Sequence, residues 1–96
     1  MKFEWDPQKE QLNVRKHRVS FEEACYVFVD KNALSLFDGK HSKNEDRWVT
    51  MGRDPAGRLL VLVHTYRTAG KEEIVRIISA RRATMRERKQ YRERIR

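Results

Sequence analysis

The sequence predicts an α+β fold of two N-terminal helices, an antiparallel sheet of about four strands and a basic C-terminal helix. Three observations predict it. Two helix-start signals fall early in the chain, Asp6-Pro7 and Ser20 followed by Glu23. Between Ala33 and Arg81, alternating or wholly apolar runs are separated by short turn-forming segments, as in strands joined in a meander. A third start signal, Thr84 with Glu87, then opens a helix crowded with arginine.

Taken in order, Lys2 to Trp5 alternates and suits a short edge strand. Asp6 is placed to cap a helix with Pro7 at its first position, where the missing N–H costs nothing. That helix runs to about His17 on thin apolar content, Leu12 and Val14, so a narrow stripe is expected to pack it. Val19 and Ala24 suit a hydrophobic staple around the Ser20/Glu23 capping box. Phe21, Ala24, Cys25 and Phe28 share one face of a short second helix ending near Asp30. Ala33 to Phe37 predicts a strand with Leu34 and Leu36 on one face, and Gly39 to Asp46 a polar loop. Arg47 to Arg53 alternates, and Asp54-Pro55-Ala56-Gly57 is a turn. Arg58 to Arg67 contains Leu59-Leu60-Val61-Leu62-Val63, apolar on both faces, which places it centrally in the sheet. Thr68 to Lys71 turns into a last strand, Glu72 to Arg81. The final helix has only Met85, Tyr91 and Ile95 to dock it, so its last turn is expected to fray without a partner. With neither repeats nor a low-complexity linker, one domain over residues 1–96 is expected.

Charge narrows the function classes. The net charge is +8, and residues 81–96 hold eight Lys/Arg against two Glu. Such a concentration attracts a polyanion, with nucleic acid the leading candidate. Cys25 is the single cysteine, which excludes an intramolecular disulfide and points to a reducing compartment. The stretch Met1 to Pro7 lacks the apolar region of a signal peptide, and no apolar run reaches membrane-spanning length, so a cytoplasmic chain without membrane association is expected. His17, His41 and His64 are dispersed and no second cysteine exists, so no metal site and no cofactor are expected. The four glycines do not form a phosphate-binding loop.

The two ends of the chain carry family signatures. Phe3-x-Trp5-Asp6-x-x-Lys9, Asn13-x-x-Lys16-His17, Val19-x-Phe21-x-Glu23-Ala24 and Val27-Phe28-x-Asp30 resemble the N-terminal signature of the BrnT toxins. Arg76-Ile77-Ile78-Ser79-Ala80-Arg81-x-Ala83, with Glu87, Arg88 and Tyr91, resembles the C-terminal one. The resemblance implies a RelE-like fold and an endoribonuclease of a type II toxin–antitoxin module. It further implies a cognate, BrnA-like, DNA-binding antitoxin that neutralises the toxin, the pair repressing its own operon. One departure is Arg18, where members usually carry Gly after Lys-His; Arg18 must adopt the left-handed cap at some cost or end the helix differently.

Metal-free RNA cleavage needs the 2′-OH aimed at its own phosphate, a base or charge to activate it, cations for the phosphorane-like charge and an acid for the leaving 5′-oxygen. Arginine suits the cationic task because it stays charged and forks onto phosphate oxygens. Arg67, Arg76 and Arg81 lie on the two strands expected at the sheet centre. Strict alternation puts Arg76 and Arg81 on opposite faces unless the strand bulges or ends early. The competing readings are an ion pair to Glu45, Asp46 or another acid for Arg76 and solvated strand-end charge for Arg67 and Arg81. Glu45 is a candidate base, Lys9 a phosphate contact and Tyr91 a stacking or proton-donating group. Glu45 also reads as exposed charge, Lys9 as a solvent-facing lysine and Tyr91 as the residue that docks its helix. Lys16, Arg82, Arg86 and Lys89, with Arg96, are candidates for the RNA backbone or an acidic antitoxin segment. Trp5 and Trp48 read as core or partner-contact residues rather than base-stacking platforms. The alternative function is a non-catalytic basic module that binds nucleic acid or protein.

Overall fold

A computed structural model describes residues 1–43 and 45–94. The strands are β1 (Lys2–Glu4), β2 (Leu34–Phe37), β3 (Arg47–Arg53), β4 (Leu59–Ala69) and β5 (Glu72–Arg82). The helices are α1 (Pro7–His17), α2 (Phe21–Cys25) and α3 (Met85–Arg94), with 3₁₀ segments at Tyr26–Val29 and Gly39–His41. The class is α+β as expected, but the sheet has five strands and is mixed, in the order β1-β5-β4-β3-β2. Strands β2 to β5 form the antiparallel meander with β4 at the centre, while β1 adds to β5 in parallel. A three-residue strand carries no signal for its partner; only the return of the chain through α1 and α2 brings it there. Among the described residues no helix is long and apolar enough to cross a membrane.

Each helix start forms as its chemistry dictates. Gln8 N–H donates to Asp6 Oδ1 at 2.9 Å, with Pro7 opening α1. Ser20 and Glu23 complete a reciprocal capping box. The second helix is shorter than expected, because after Cys25 the chain tightens into the 3₁₀ turn that carries Val27 against Gly52. A Cβ at Gly52 would lie 2.8 Å from Val27 Cγ1, so the glycine permits this close approach. Arg18 does adopt the left-handed cap, at φ 59° and ψ 32°, with its N–H on Val14 O at 2.9 Å. Its left-handed backbone costs about 1–2 kcal/mol, and glycine there would lose about 0.5–1 kcal/mol through unfolded-chain entropy. Arg18→Gly is therefore expected to stabilise the fold by about 0.5–1 kcal/mol. A thermal melt checks this, and a lowered midpoint would contradict it.

One face of the sheet is closed by α1, α2 and the 3₁₀ turn. Val19, Phe21, Ala24 and Val27 pack with Leu60, Leu62, Val75, Ile77 and Ala80, all essentially inaccessible. The expected stripe of α1 is not what docks it: Leu12 is 62% exposed, whereas Asn13 is buried. Asn13 bonds Val19 O and Ala80 O through Nδ2 and accepts the Ala80 N–H at Oδ1. The helix thus continues the hydrogen bonding of β5 where β1 stops.

The pairing of β4 with β5 slips by one residue: Val63 faces Ser79, and His64 faces Ile77. Ile78 is the extra residue of a β-bulge, and the side-chain alternation of β5 reverses across it. Val75, Ile77 and Ala80 consequently all reach the helix-covered core. Arg76, Ser79 and Arg81 are turned to the opposite face, overriding strict alternation. On that face α3 covers one end only, where Tyr91 packs with Met51, Leu59 and Val61.

Candidate active site

The uncovered part of this second face is crossed by a row in register over four strands. Arg47 on β3 pairs with Thr65 on β4, Thr65 with Arg76 on β5, and Arg76 with Glu4 on β1. Arg67, two residues along β4 from Thr65, joins the row from the next position. Its Nη1 donates to Glu4 Oε1 at 2.7 Å, and Arg76 Nη1 lies 3.7 Å from the same oxygen. Two guanidinium groups thus converge on one anionic oxygen. The Arg67 hydrogen bond, above all, holds the Glu4 carboxyl below the ordinary range, with the charges of Arg67, Arg76 and Lys2 adding. The ion pair considered for Arg76 therefore exists, with Glu4 as its acid. In the middle of the row, the Thr65 hydroxyl is buried and has no hydrogen-bond partner among the described residues. Buried hydroxyls are normally paired, so this one is an unsatisfied polar group beneath the arginine row.

The loop between β2 and β3 borders this row. It is closed by Asp38 N–H on Arg47 O at 2.8 Å, by Ser42, and by Tyr66 N–H on Asp46 O at 3.2 Å. Lys40, His41, Lys43, Glu45 and Arg47 line one cleft of about 280 Å³. The charge of Glu45 reaches Arg67, whose guanidinium is raised first by its hydrogen bond to Glu4 and further by the charges of Glu4 and Glu45. His41, which lines this cleft, has Nδ1 2.8 Å from Asp38 Oδ2, a contact that orients the imidazole. Hydrogen bonding to His41 lowers the Asp38 carboxyl. Arg67 and Arg76 are thus gathered on Glu4, and Glu45 acts on Arg67 through its charge.

Arg81 is on the same face, two rows further on, and serves a different neighbour. Its guanidinium forks onto Glu87 at 2.8 and 2.9 Å, and Glu87 also bonds the Thr84 N–H. Arg81 chiefly pushes the Glu87 carboxyl down to about 2, with the Thr84 backbone contributing. This pair fastens the start of α3 to the sheet. Because the folded value lies below the ordinary 4.5, the stabilisation is present above pH 4.5 and lost as pH falls towards 2. With Arg81 partly solvated, about 1–2 kcal/mol is expected from it. Glu87→Gln should lower the melting temperature at pH 7 and flatten its decline between pH 4.5 and 2; parallel curves for wild type and variant would contradict this.

The remaining candidates are dispersed. Tyr91 is not brought to the arginine row as an open side chain: it is buried, donates to Asp30 Oδ2 at 2.7 Å and lies under the Arg53 guanidinium. Burial first, and then Asp30, raise its phenol. It docks α3. Lys9 and Lys16 lie on α1 along a groove that reaches Ile78 and Ser79 at the bulge. Arg82, Arg86 and Lys89 are exposed, Lys89 lying 4.0 Å from Glu93. The basic cleft of α3 is instead formed by Arg88 and Arg92 with Arg53. Arg96 and Ile95 lie outside the described residues, and with them the end of the last turn. Cys25 is half-buried, and burial pushes its thiol up to about 11, in keeping with a packing role. Among the described residues no three His, Cys, Asp or Glu side chains converge as metal ligands.

Sequence reasoning missed Arg47, Thr65, Glu4 and the His41–Asp38 pair. Strand register supplies the first three; the Asp38-x-x-His41 spacing was the one local signal available.

The family model described as the ribonuclease toxin BrnT of type II toxin–antitoxin systems matches residues 5–87. The crystal structure of the ribonuclease toxin BrnT of Brucella abortus superposes with a TM-score of 0.62 at 23% identity, over 88% of this chain and 99% of that one. At this identity the likeness bears on the fold alone. No curated protein sequence matches. The family match covers most of the chain, from Trp5 of the N-terminal motif to Glu87 of the C-terminal one, so the chain belongs to the BrnT family of ribonuclease toxins of type II toxin–antitoxin systems.

Proposed function

We propose that this chain is a metal-independent endoribonuclease that cleaves RNA by attack of the 2′-OH on the adjacent phosphate. The observation that carries the reading is the convergence of Arg67 and Arg76 on one carboxylate oxygen of Glu4, in register with Arg47, an anion-binding face. The Glu4 carboxylate marks where a phosphate oxygen would sit between Arg67 and Arg76. Glu45 takes the 2′-OH proton as the O2′–P bond forms, and the arginines stabilise the charge gathering on the phosphoryl oxygens. His41, held by Asp38, donates its Nε2 proton to the 5′-oxygen as the P–O5′ bond breaks. The products are a 2′,3′-cyclic phosphate and a 5′-hydroxyl.

Around this centre, Lys9 and Lys16 along α1 suit flanking phosphates, and Arg82, Arg86 and Lys89 extend the positive field. Arg81 acts by positioning α3, and Tyr91 by anchoring it. The family implies an antitoxin partner; a BrnA-like, DNA-binding antitoxin that neutralises the enzyme in the cytoplasm completes this reading, as does a RelE-like topology, supported by the N-terminal helices packed on one sheet face.

The acid–base assignment is tested by single-turnover cleavage of RNA carrying a bridging 5′-phosphorothiolate, whose sulfur leaves without a proton. Glu45→Gln and His41→Ala are each expected to lower cleavage of ordinary RNA by about 10²–10⁴-fold, and the thio substrate to rescue His41→Ala but not Glu45→Gln. Wild-type rates in both variants would remove these two residues from the chemistry.

A further inference from the structure

On the helix-covered side of the sheet, at the end where the β2–β3 loop leaves, lies a second cavity of about 340 Å³. Its lining is Met1, Phe28, Ser35, Trp48, His64 and Tyr66, almost wholly aromatic or apolar. Phe28 meets the His64 ring edge-on at 5.0 Å, and the half-exposed Phe37 meets Trp48 at 5.3 Å. The chain that leaves it after Phe37 and returns before Trp48 carries the cations Lys40, Lys43 and Arg47 among the acids Asp38, Glu45 and Asp46. Aromatic walls with a hydrogen-bonding group at the back are the arrangement that holds an unpaired base.

The polar back wall has a direction. His64 is buried and neutral, desolvation having lowered its imidazole, and its Nδ1 lies 3.2 Å from Thr65 O, a carbonyl that only accepts. Nδ1 therefore carries the proton, and Nε2 accepts from Thr50 Oγ1 at 2.7 Å. Thr50, having donated, accepts from Ser35 Oγ at 2.7 Å. The Ser35 oxygen is left facing the cavity with lone pairs and no proton to give.

We infer that this cavity is a nucleobase subsite for a nucleotide of the bound RNA, with Trp48 and Tyr66 as stacking walls and the Ser35 oxygen accepting from an exocyclic amino group. It rests on the ribonuclease reading for the identity of the polymer. Bases with such an amino group, adenine, cytosine and guanine, are favoured over uracil, which has none.

The test uses the full chain carrying Trp5→Phe, so that Trp48 is the only tryptophan, and single-stranded 2′-deoxy oligonucleotides that cannot be cleaved by 2′-OH attack. Oligo(dA) is expected to quench Trp48 saturably and to bind about 5- to 100-fold more tightly than an abasic oligomer of equal length and charge. Oligo(dU) should bind several-fold more weakly than oligo(dA), and Ser35→Ala should abolish that difference. Tyr66→Ala should reduce the advantage over abasic strands while Tyr66→Phe keeps it, with thermal melts confirming that each variant is folded. Equal affinity for abasic and base-bearing strands, or no change in Trp48 emission, would overturn the subsite. RNA cleavage measured on the same samples separates the two readings. Cleavage with base-independent binding overturns the subsite alone; quenching by oligo(dA) without cleavage upholds it and removes the enzyme.

Discussion

Arg76→Ala is expected to lower the rate of RNA cleavage at saturating substrate by about 10²–10³-fold while leaving the melting temperature within a few degrees. The asymmetry follows from where the side chain sits. Arg76 is partly exposed and its contact to Glu4 is the longer of the two that this carboxylate makes, so little folding energy depends on it. It nevertheless stands in the row, paired in register with Thr65, where the proposed reading puts the charge that develops on the phosphoryl oxygens. Arg92→Ala on α3 is the matched control: it removes the same charge from a different cleft and should reduce binding modestly, without a comparable loss in kcat. Single-turnover cleavage by the three proteins checks this. Equal, proportionate losses from both variants would mean that charge alone matters and that the chain is a binding module.

Asn13→Ala is expected to have the largest effect on stability, about 3 kcal/mol, out of the roughly 5–15 kcal/mol typical of a domain. The side chain is buried and makes three hydrogen bonds, two to the backbone of Ala80 and one to Val19. Its loss leaves the carbonyls of Val19 and Ala80 and the Ala80 N–H without partners in a dry position. Urea unfolding should show a lower midpoint at unchanged slope. A loss below about 1 kcal/mol would mean that water replaces the amide. Because Asn13 supports the strand just beyond the bulge, the variant should also lose part of its cleavage activity.

The legible parts of this fold were those written in adjacent residues. Asp6-Pro7, Ser20/Glu23 and Thr84/Glu87 each announce a helix start because the cap and its acceptor lie within one turn, and all three form. The run Leu59 to Val63 announces a central strand because both of its faces are apolar. What was illegible depends on pairing. The bulge at Ile78 arises between two strands, and with it goes the face on which Arg81 lies. The parallel β1, the meeting of Glu4 with Arg67 across the chain, and the Arg47–Thr65–Arg76 row all need register, which hydropathy does not carry. For α1, counting apolar residues misled, since a single polar side chain does the docking. Of the site, the types and most of the arginines were legible; which of them meet was not. Arg81, a leading candidate by its motif, turns out to be clamped by Glu87, which only the fold reveals.

The most direct measurement is the incubation of the purified chain, in EDTA, with an oligonucleotide that is 2′-O-methylated at every residue but one. The account predicts a single cut on the 3′ side of the one free 2′-OH, leaving a 2′,3′-cyclic phosphate and a 5′-hydroxyl. Cleavage that stops in EDTA, falls at methylated residues or leaves a 3′-hydroxyl would contradict it.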